Sequence, residues 1–238
     1  MTEKPSQGSP KIRAMFSKIA GRYDLLNRLL SFGVDTRWRK ELAEEISRHQ
    51  GEAILDLATG TADVALTLAR DLPDTDRIVG TDFAIPMLHL ASEKVHRQGT
   101  NKIQLCAGDA LALPFRDASF GSVTIAFGLR NLPDREAGLR EMLRMLTPGG
   151  KLVILEFTRM EHRLLGPLFR FYFHYVLPIL GGIISGSFGA YRYLPSSVDD
   201  FPGPLELGRE MHEAGFTNVK YRPLSLGIAC LHTGERSN

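Results

Sequence analysis

Cysteine is nearly absent from this sequence. The 238 residues include only two, Cys106 and Cys230, and both lie inside apolar runs without a pairing pattern or the spacing of metal ligands. This scarcity argues against a disulfide-stabilised extracellular scaffold and indicates buried thiols in a reducing compartment. The seven histidines are scattered and also lack ligand spacing. We therefore predict no metal site.

An excess of charge of either sign is also missing. Lys and Arg together number 29 and Asp and Glu 27, which gives a formal net charge of +2. Because bulk charge does not favour a polyanionic partner, we predict that the protein does not bind nucleic acid. The first 13 residues, MTEKPSQGSPKIR, contain no apolar run, so we expect neither a secretion signal nor an anchor there. We expect a cytoplasmic protein whose residues 1–11 are disordered.

The sequence does contain a regular alternation of apolar strands and amphipathic helices. Five predicted strands fall within residues 52–157, and two more follow a helix within residues 204–233. This alternation predicts an α/β fold with a mostly parallel, seven-stranded sheet and helices on both faces. Residues 12–50 have helical spacing and predict an N-terminal helical cap, and residues 160–203 form an apolar insert. We expect a single domain over residues 12–233.

The segment ILDLATGTAD, residues 54–63, is typical of a strand that enters a helix through a ligand-binding turn. Asp56 ends the strand, and the backbone N–H groups that follow Gly60 face the carboxyl edge of the sheet. A dinucleotide fingerprint needs three glycines so that a pyrophosphate can approach the backbone, but Ala58 and Ala62 flank the one glycine here. The turn therefore favours a nucleotide without a diphosphate, such as S-adenosylmethionine.

Two further acids follow the second and third predicted strands. Asp82 lies about 20 residues after the turn and can accept both ribose hydroxyls, as it also could for NAD. Asp109 can accept from the adenine amine while the backbone N–H of Ala110 donates to a ring nitrogen. Each acid taken alone is more simply a helix cap or turn residue. Acids at the ends of three strands together predict an adenosine-binding edge.

Five motifs, in this order and spacing, resemble those of a known family: ILDLATGTAD, GTDFAIPML, GDALALPF, FGLRN and LTPGGKLVILEF. The chain resembles the class I S-adenosylmethionine-dependent methyltransferases that C-methylate demethylmenaquinone or the ubiquinone precursor. FSKIAGRYDLLNRLLSFGVDTRWRK and YRYLPSSVDDFP look like the substrate-side signatures of that family. The resemblance covers about residues 12–233 and implies the Rossmann-like class I methyltransferase fold.

The resemblance also implies S-adenosylmethionine as the cofactor and a prenylated quinol as the substrate. Ala126 stands where some family members carry serine, so only a backbone or van der Waals contact is expected there. With the residues argued above, the expected cofactor-binding residues are Asp56, Gly60, Thr61, Asp82, Asp109, Ala110 and Ala126.

Methylation of a ring carbon requires a base or an activated water near one phenolic hydroxyl. FGLRN places Arg130 and Asn131 just past the fourth strand. Arg130 is too basic to accept a proton, so we predict that it orients a water and stabilises the phenolate. The alternative for Arg130 is a surface ion pair. Tyr23 and Asp24 share a helical face with Asn27 and are predicted to line a pocket lid; the alternative is an ordinary amphipathic surface helix.

The apolar insert raises the question of a membrane. Its run from Phe171 to Ala190 is about as long as a bilayer span, but Pro178 and two adjacent glycines make a poor transmembrane helix. We expect a lid that forms an apolar cleft for a polyprenyl tail, with plain core packing as the alternative. Tyr191 and Tyr193 would offer hydroxyls if the YLPSS turn folds over the sheet. We also expect reversible contact with the inner membrane surface and a homodimer.

Three other functions account for part of the sequence. An O- or N-methyltransferase of a soluble small molecule explains the cofactor motifs but not FGLRN, YLPSS or the insert. An NAD-dependent dehydrogenase needs more glycines and a catalytic Tyr/Lys or His pair, which we do not find. A catalytically inert, cofactor-binding accessory protein of quinone biosynthesis differs from an enzyme only in turnover.

Overall fold

A seven-stranded sheet forms the centre of the computed structural model. The structure describes residues 28, 31, 33–46, 53–160, 166–185 and 188–238, without the side chains of residues 184, 185, 188 and 190–192. The strands are β1 (Ile54–Leu57), β2 (Ile78–Asp82), β3 (Ile103–Ala107), β4 (Phe120–Ala126), β5 (Leu146–Phe157), β6 (Thr217–Leu224) and β7 (Ala229–Glu235). Their order is β3-β2-β1-β4-β5-β7-β6. The first five are parallel and β7 is antiparallel to both neighbours, which confirms the predicted mostly parallel sheet.

Helices connect the strands and cover the sheet. They are α1 (Val34–Ile46), α2 (Asp63–Asp71), α3 (Ile85–Gln98), α4 (Arg135–Met145), α5 (Gly166–Phe171), α6 (Leu177–Ser185), α7 (Phe188–Asp199) and α8 (Pro204–Glu213). Short turns of 3-10 helix span Leu129–Asn131 and Ser225–Gly227, and a π-helical turn spans Tyr172–Val176. The Asp134 carboxylate caps α4 by accepting a bond from the Ala137 backbone N–H, 2.9 Å away.

Each face of the sheet has its own apolar core. Leu55 and Leu57 of β1 belong to the core that includes residues of α4 and α8, whereas Ile54 belongs to the core that includes residues of α1, α2 and α3. Successive side chains of a strand point to opposite faces, so a strand covered on both faces is largely apolar. This double burial explains the continuous apolar runs in the sequence.

Helix α1 is attached to the sheet by one apolar stripe. Trp38, Leu42 and Ile46 are spaced by four residues, and all three side chains are buried. That spacing places them on one face of the helix. The indole Nε1–H of Trp38 donates to the Ser225 hydroxyl at 2.9 Å, so the polar atom of this buried ring is also paired.

An ionic network joins α1 to the beginning of α2. The Arg39 guanidinium lies 2.7 Å from the Asp35 carboxylate and 3.1 Å from that of Asp63, the first residue of α2. Lys94 of α3 pairs with the same Asp63 carboxylate. Three helices therefore converge beside the turn that follows β1.

The insert between β5 and β6 is helical. Helices α5 and α6 are joined by the π-helical turn, and α7 packs beside α6. The YLPSS turn expected from the sequence is absent, because α7 continues through it with Pro195 in its interior. Proline removes one helical hydrogen bond, but the Pro195 side chain is buried, and its packing offsets that loss. Within the described residues, no helix combines the length and apolar character needed to cross a bilayer.

Candidate cofactor and acceptor site

The turn after β1 has an unusual backbone. Gly60 has φ +56°, and two alanines, Ala58 at 51° and Ala62 at 67°, also occupy the left-handed region. An alanine there costs roughly 1 kcal/mol of strain that a glycine would not carry. A Cβ built on Gly60 would meet no atom of the described residues within 4 Å, so this part of the chain leaves space over the middle of the turn.

Asp56 supports this turn from inside the protein. One carboxylate oxygen accepts from the Thr59 hydroxyl at 2.6 Å and the other from the Thr124 hydroxyl at 2.9 Å. Burial raises the pKa of Asp56 to about 6, although both hydroxyl bonds oppose that shift. Asp56 lies under the predicted cofactor position, and a contact between its carboxylate and the cofactor stays a prediction.

Asp82 links the end of β2 to the same turn. One oxygen accepts from the Gly60 backbone N–H at 2.9 Å and the other from the Ala84 backbone N–H at 2.8 Å. Burial raises its pKa against these bonds. Each carboxylate oxygen has two lone pairs, so Asp82 can accept further bonds from a ribose diol while it holds the turn.

Asp109 and Ala110 follow β3 at the neighbouring position along this edge. The Asp109 side chain is exposed, and one of its oxygens accepts from the Leu111 backbone N–H at 3.0 Å. Ala110 is buried. The second oxygen of Asp109 thus lies at the surface, where an adenine amine can reach it.

Thr61 and Ala126 complete the edge. Thr61 is buried in the turn, and its hydroxyl accepts from the Lys94 ammonium at 3.3 Å. Ala126 is the last residue of β4 and is half-buried. The carboxyl ends of β1 to β4 therefore bring the seven predicted cofactor residues to one edge. The open space over the turn and the acceptors on its two sides fit an adenosyl ligand.

A buried ion pair lies beside this edge at the ends of β4 and β5. The Arg130 side chain is 6% exposed and that of Glu156 is 0% exposed, and Arg130 Nη1 donates to Glu156 Oε1 at 2.5 Å. Glu156 Oε2 accepts from the Arg130 backbone N–H at 3.2 Å, and Oε1 also accepts from the Phe157 backbone N–H at 2.9 Å. The Phe127 carbonyl accepts from Arg130 Nη1 at 2.6 Å. The surface ion pair weighed as an alternative is therefore not what the structure has.

Arg130 keeps one hydrogen-bond donor without a partner. Its Nε–H is buried and has no acceptor among the residues that the structure describes. An unpaired buried donor on a charged group is unfavourable, so this Nε–H favours a further acceptor, which a bound ligand could supply.

Asn131 connects the same turn to the insert. Its Oδ1 accepts from the Tyr193 hydroxyl at 2.9 Å, and its Nδ2 donates to the Phe127 carbonyl at 3.4 Å. Burial raises the pKa of Tyr193, whereas the nearby Arg130 charge lowers it. Helix α7 thus brings a tyrosine hydroxyl to the FGLRN motif.

Three other predicted positions cannot be placed. Tyr23, Asp24 and Asn27 lie outside the described residues, and so does the side chain of Tyr191. Their predicted roles stay predictions.

An aromatic cluster lies against the Arg130 side chain. The Phe127 and Phe157 ring centroids are 4.5 Å apart, and Trp38 lies 6.0 Å from each of them. Phe173 of the insert lies 6.3 Å from Phe157, and the Arg130 guanidinium carbon is 5.5 Å from the Phe157 centroid. The cluster joins α1, the strand ends and the insert, and the Arg130 cation is attracted to the face of its Phe157 ring.

The FGLRN segment also packs tightly on the cofactor turn. A Cβ built on Gly128 would lie 2.6 Å from the Ala58 Cβ. Real Cβ atoms do not approach so closely, so an alanine at position 58 requires a glycine at position 128.

Comparison with known proteins decides the family. A model of the ubiE/COQ5 methyltransferase family matches residues 4–236. The chain belongs to that family. It is 52% identical to "Demethylmenaquinone methyltransferase" of Thermus thermophilus, with 93% of this chain and 100% of that protein covered. It is 48% identical to "Ubiquinone/menaquinone biosynthesis C-methyltransferase UbiE" of Geobacter sulfurreducens, with 99% and 91% covered.

Solved structures share the fold at low sequence identity. A SAM-dependent methyltransferase from Aquifex aeolicus has a TM-score of 0.60 at 18% identity and covers 83% of this chain and 88% of its own. The [4+2]-cyclase SpnF has a TM-score of 0.70 at 15% identity and covers 98% and 97%. Because one fold can host different reactions, this likeness supports the architecture and not a particular substrate.

These findings confirm the predicted family, the Rossmann-like class I methyltransferase fold, the enzyme class and S-adenosylmethionine as cofactor. Glu156 is not among the residues predicted from the sequence. The available signal was one acid inside the apolar run KLVILEF, at the end of the fifth strand. Such an acid must be paired when it is buried.

Gly128→Ala should lower the free energy of unfolding by about 1–3 kcal/mol, because the new Cβ overlaps that of Ala58. Ala58→Gly should restore most of that loss in the double variant, which urea unfolding of all four proteins measures. Gly208→Ala is the control, since the nearest atom to its Cβ lies 3.8 Å away and a helical alanine should stabilise slightly. Strictly additive effects of the two changes would contradict the contact.

Asp82→Ala should weaken binding of S-adenosylhomocysteine by roughly 2–4 kcal/mol, because charge-assisted bonds to the ribose are lost. It should also lower the melting temperature, since the Gly60 and Ala84 N–H groups lose their acceptor. Calorimetry on the folded variant measures the affinity. Asp117→Ala is the control, because this acid lies before β4 at the opposite edge of the sheet and is exposed. An unchanged affinity for S-adenosylhomocysteine in Asp82→Ala would contradict the predicted contact between Asp82 and the ribose.

Proposed function

We propose that the protein methylates a ring carbon of a prenylated quinol, converting demethylmenaquinol to menaquinol, with the ubiquinol precursor as a second acceptor to be tested. The observation that carries this proposal is the buried Arg130, which lies against the Phe157 ring beside the cofactor edge and whose Nε–H has no acceptor among the described residues. The names of the relatives from Thermus and Geobacter support the same acceptor class.

The cofactor side of the proposal assigns one role to each part of the edge. Asp82 accepts the ribose hydroxyls, and Asp109 with the Ala110 backbone holds the adenine. Gly60 and Thr61 line the turn, and Ala126 makes a backbone or van der Waals contact. Asp56 supports the turn from below. Bound S-adenosylmethionine supplies an electrophilic methyl group.

On the acceptor side, Arg130 stabilises the phenolate that makes the ring carbon nucleophilic. Its Nε–H is a preorganised donor for that oxygen, and its positive charge lowers the energy of the developing anion in a site shielded from water. Arg130 cannot itself accept the phenolic proton, so a water oriented by Arg130 and Asn131 takes it.

Glu156 acts through Arg130 and not on the substrate. Its carboxylate already accepts three bonds, from the Arg130 side chain and from the Arg130 and Phe157 backbones. It therefore fixes the guanidinium in one orientation. Tyr193 similarly orients the Asn131 amide through the bond at 2.9 Å.

The remaining parts of the proposal concern the rest of the chain. Tyr23 and Asp24 line a lid over the acceptor ring. The domain boundaries are those expected from the sequence, with the cap at residues 12–50 and the insert at residues 160–203. The protein acts in the cytoplasm with reversible contact to the inner membrane surface, and it forms a homodimer.

Arg130→Ala should lower turnover at least about 100-fold while the affinity for S-adenosylhomocysteine stays near wild type, the pattern of a lost transition-state contact. Arg130→Lys keeps the charge but lacks the Nε–H at this position, so it should restore only a small part of the turnover. Glu156→Gln should lower kcat about tenfold or more through misplacement of Arg130.

Arg135→Ala is the matched control, because Arg135 makes a two-point ion pair with Glu210, with both bonds at 2.6 Å, away from the strand ends of the site. Its turnover should match the wild type. Wild-type turnover in Arg130→Ala would contradict the catalytic role and leave the buried Arg130–Glu156 pair with a structural role only.

Incubation with methyl-labelled S-adenosylmethionine and a reduced, short-tailed demethylmenaquinone should give a product with one labelled methyl on a ring carbon, located by fragmentation in mass analysis. The oxidised quinone should not react, because only the quinol can form a nucleophilic phenolate. The ubiquinone precursor is assayed in parallel. A methyl on oxygen, or transfer only to a soluble amine, would overturn the proposal.

A further inference from the structure

The helical insert exposes a continuous row of large apolar side chains. We call this row the insert stripe. Its residues and their exposed fractions are Leu168 (67%), Phe171 (58%), Tyr175 (63%), Ile179 (56%) and Ile183 (65%). They are spaced by three or four residues along α5, the π-helical turn and α6, which places them along one side of the insert. The Phe171 and Tyr175 rings contact each other, with centroids 5.4 Å apart.

The opposite side of the same helices faces the protein. Phe173, Leu177 and Gly181 are buried and are spaced by four residues. Phe173 contacts Phe157 of the aromatic cluster beside Arg130. The insert therefore has two apolar sides, of which one packs at the site and the other is exposed. The exposed side is not explained by core packing.

The charge of the segment that carries this row, α5 to α6, restricts what can cover it. Residues 166–185, GPLFRFYFHYVLPILGGIIS, contain no Asp or Glu. Their one arginine, Arg170, is exposed. Aromatic rings with an apolar body, a tyrosine hydroxyl and a flanking cation suit the boundary between lipid headgroups and acyl chains.

Two partners could cover the row, a membrane or a second copy of the chain. The small number of residues in the row favours the membrane. Specific protein interfaces take about 20–30 residues on each side, whereas the insert stripe offers five. A bilayer surface needs no matching partner surface, so a single helical stripe is sufficient for reversible attachment.

We infer that the insert stripe docks on the surface of a bilayer containing anionic lipid, with the insert lying in the plane of the interface. This inference rests on the proposed function for its purpose, because a prenylated quinol resides in the bilayer. Docking through the outer side holds the inner side, with Phe173, about one helix diameter, roughly 10 Å, from the lipid. The quinol ring then enters the site while most of its tail stays in the membrane.

This geometry bears on the tail-binding cleft expected from the sequence. Ile179 and Ile183 are more than half exposed, so they face away from the protein and do not line a cleft between insert and core. The tail-binding cleft expected from the sequence would have to be formed by other side chains.

Co-sedimentation with vesicles tests the inference. Wild-type protein should sediment with phosphatidylcholine vesicles that contain phosphatidylglycerol, and the variant Ile179→Asp/Ile183→Asp should lose at least about tenfold in vesicle affinity. Leu205→Asp is the matched control, because Leu205 is 57% exposed but lies on α8, outside the insert. Arg170→Gln should weaken binding about fivefold, the contribution of one cation near an anionic surface.

Methylation of a soluble, short-tailed quinol separates this inference from the proposed function. The paired variant should methylate that quinol as the wild type does, while it loses activity on long-tailed quinol in vesicles. Vesicle affinity that is unchanged in the folded paired variant would overturn the inference. A wild-type dimer in sedimentation equilibrium that the paired change dissociates would overturn it in favour of a second copy. Failure of wild type to methylate any quinol, with stripe-dependent sedimentation intact, would contradict the proposed function alone.

Discussion

The acceptor side of the site depends on one buried carboxylate. Glu156 lies at the end of a central strand with no exposed surface, and it holds both the side chain and the backbone of Arg130. Bringing such a pair out of water is costly, and buried pairs often contribute little net stability. What the pair does provide is a fixed orientation, because the guanidinium is held by Glu156 and the Phe127 carbonyl at once. The Asn131 to Tyr193 bond then extends this order to the insert.

On the cofactor side, a different buried acid also fixes the position of a turn. Asp82 accepts two backbone N–H bonds and so ties the β1 turn to β2, just as Glu156 ties the β4 turn to β5. Each acid follows or ends a strand, where it is shielded from water, and its bonds therefore act in a medium of low dielectric. The two turns meet where Gly128 packs on Ala58. Cofactor and acceptor are thus expected on two turns whose relative position is set by direct contact.

The parts that sequence analysis predicted are those in which local pattern and burial agree. Alternating apolar strands and helices give the sheet, and acids at strand ends predict that Asp82 and Asp109 lie at its carboxyl edge, where the structure has them. Glu156 is less visible, because a single acid in an apolar run reveals neither its depth nor its partner. The YLPSS segment was wrongly expected to form a turn, since Pro195 is a helix breaker unless packing compensates for it. In the insert the helical spacing is readable, but both sides are apolar, so only the structure distinguishes the buried row with Phe173 from the exposed row with Tyr175.

The π-helical turn at Tyr172–Val176 has a consequence for chain length. A π-helical turn holds about one residue more than an α-helical turn, so it absorbs an extra residue without rotating the helix beyond it. Loss of one residue inside this turn would leave an ordinary α-helix that presents α6 in the same orientation. Loss of one residue from α6 itself would rotate everything beyond it by about 100°, and Ile183 would turn toward the protein. The loss of one residue should therefore be tolerated at the π-helical turn and excluded within α6.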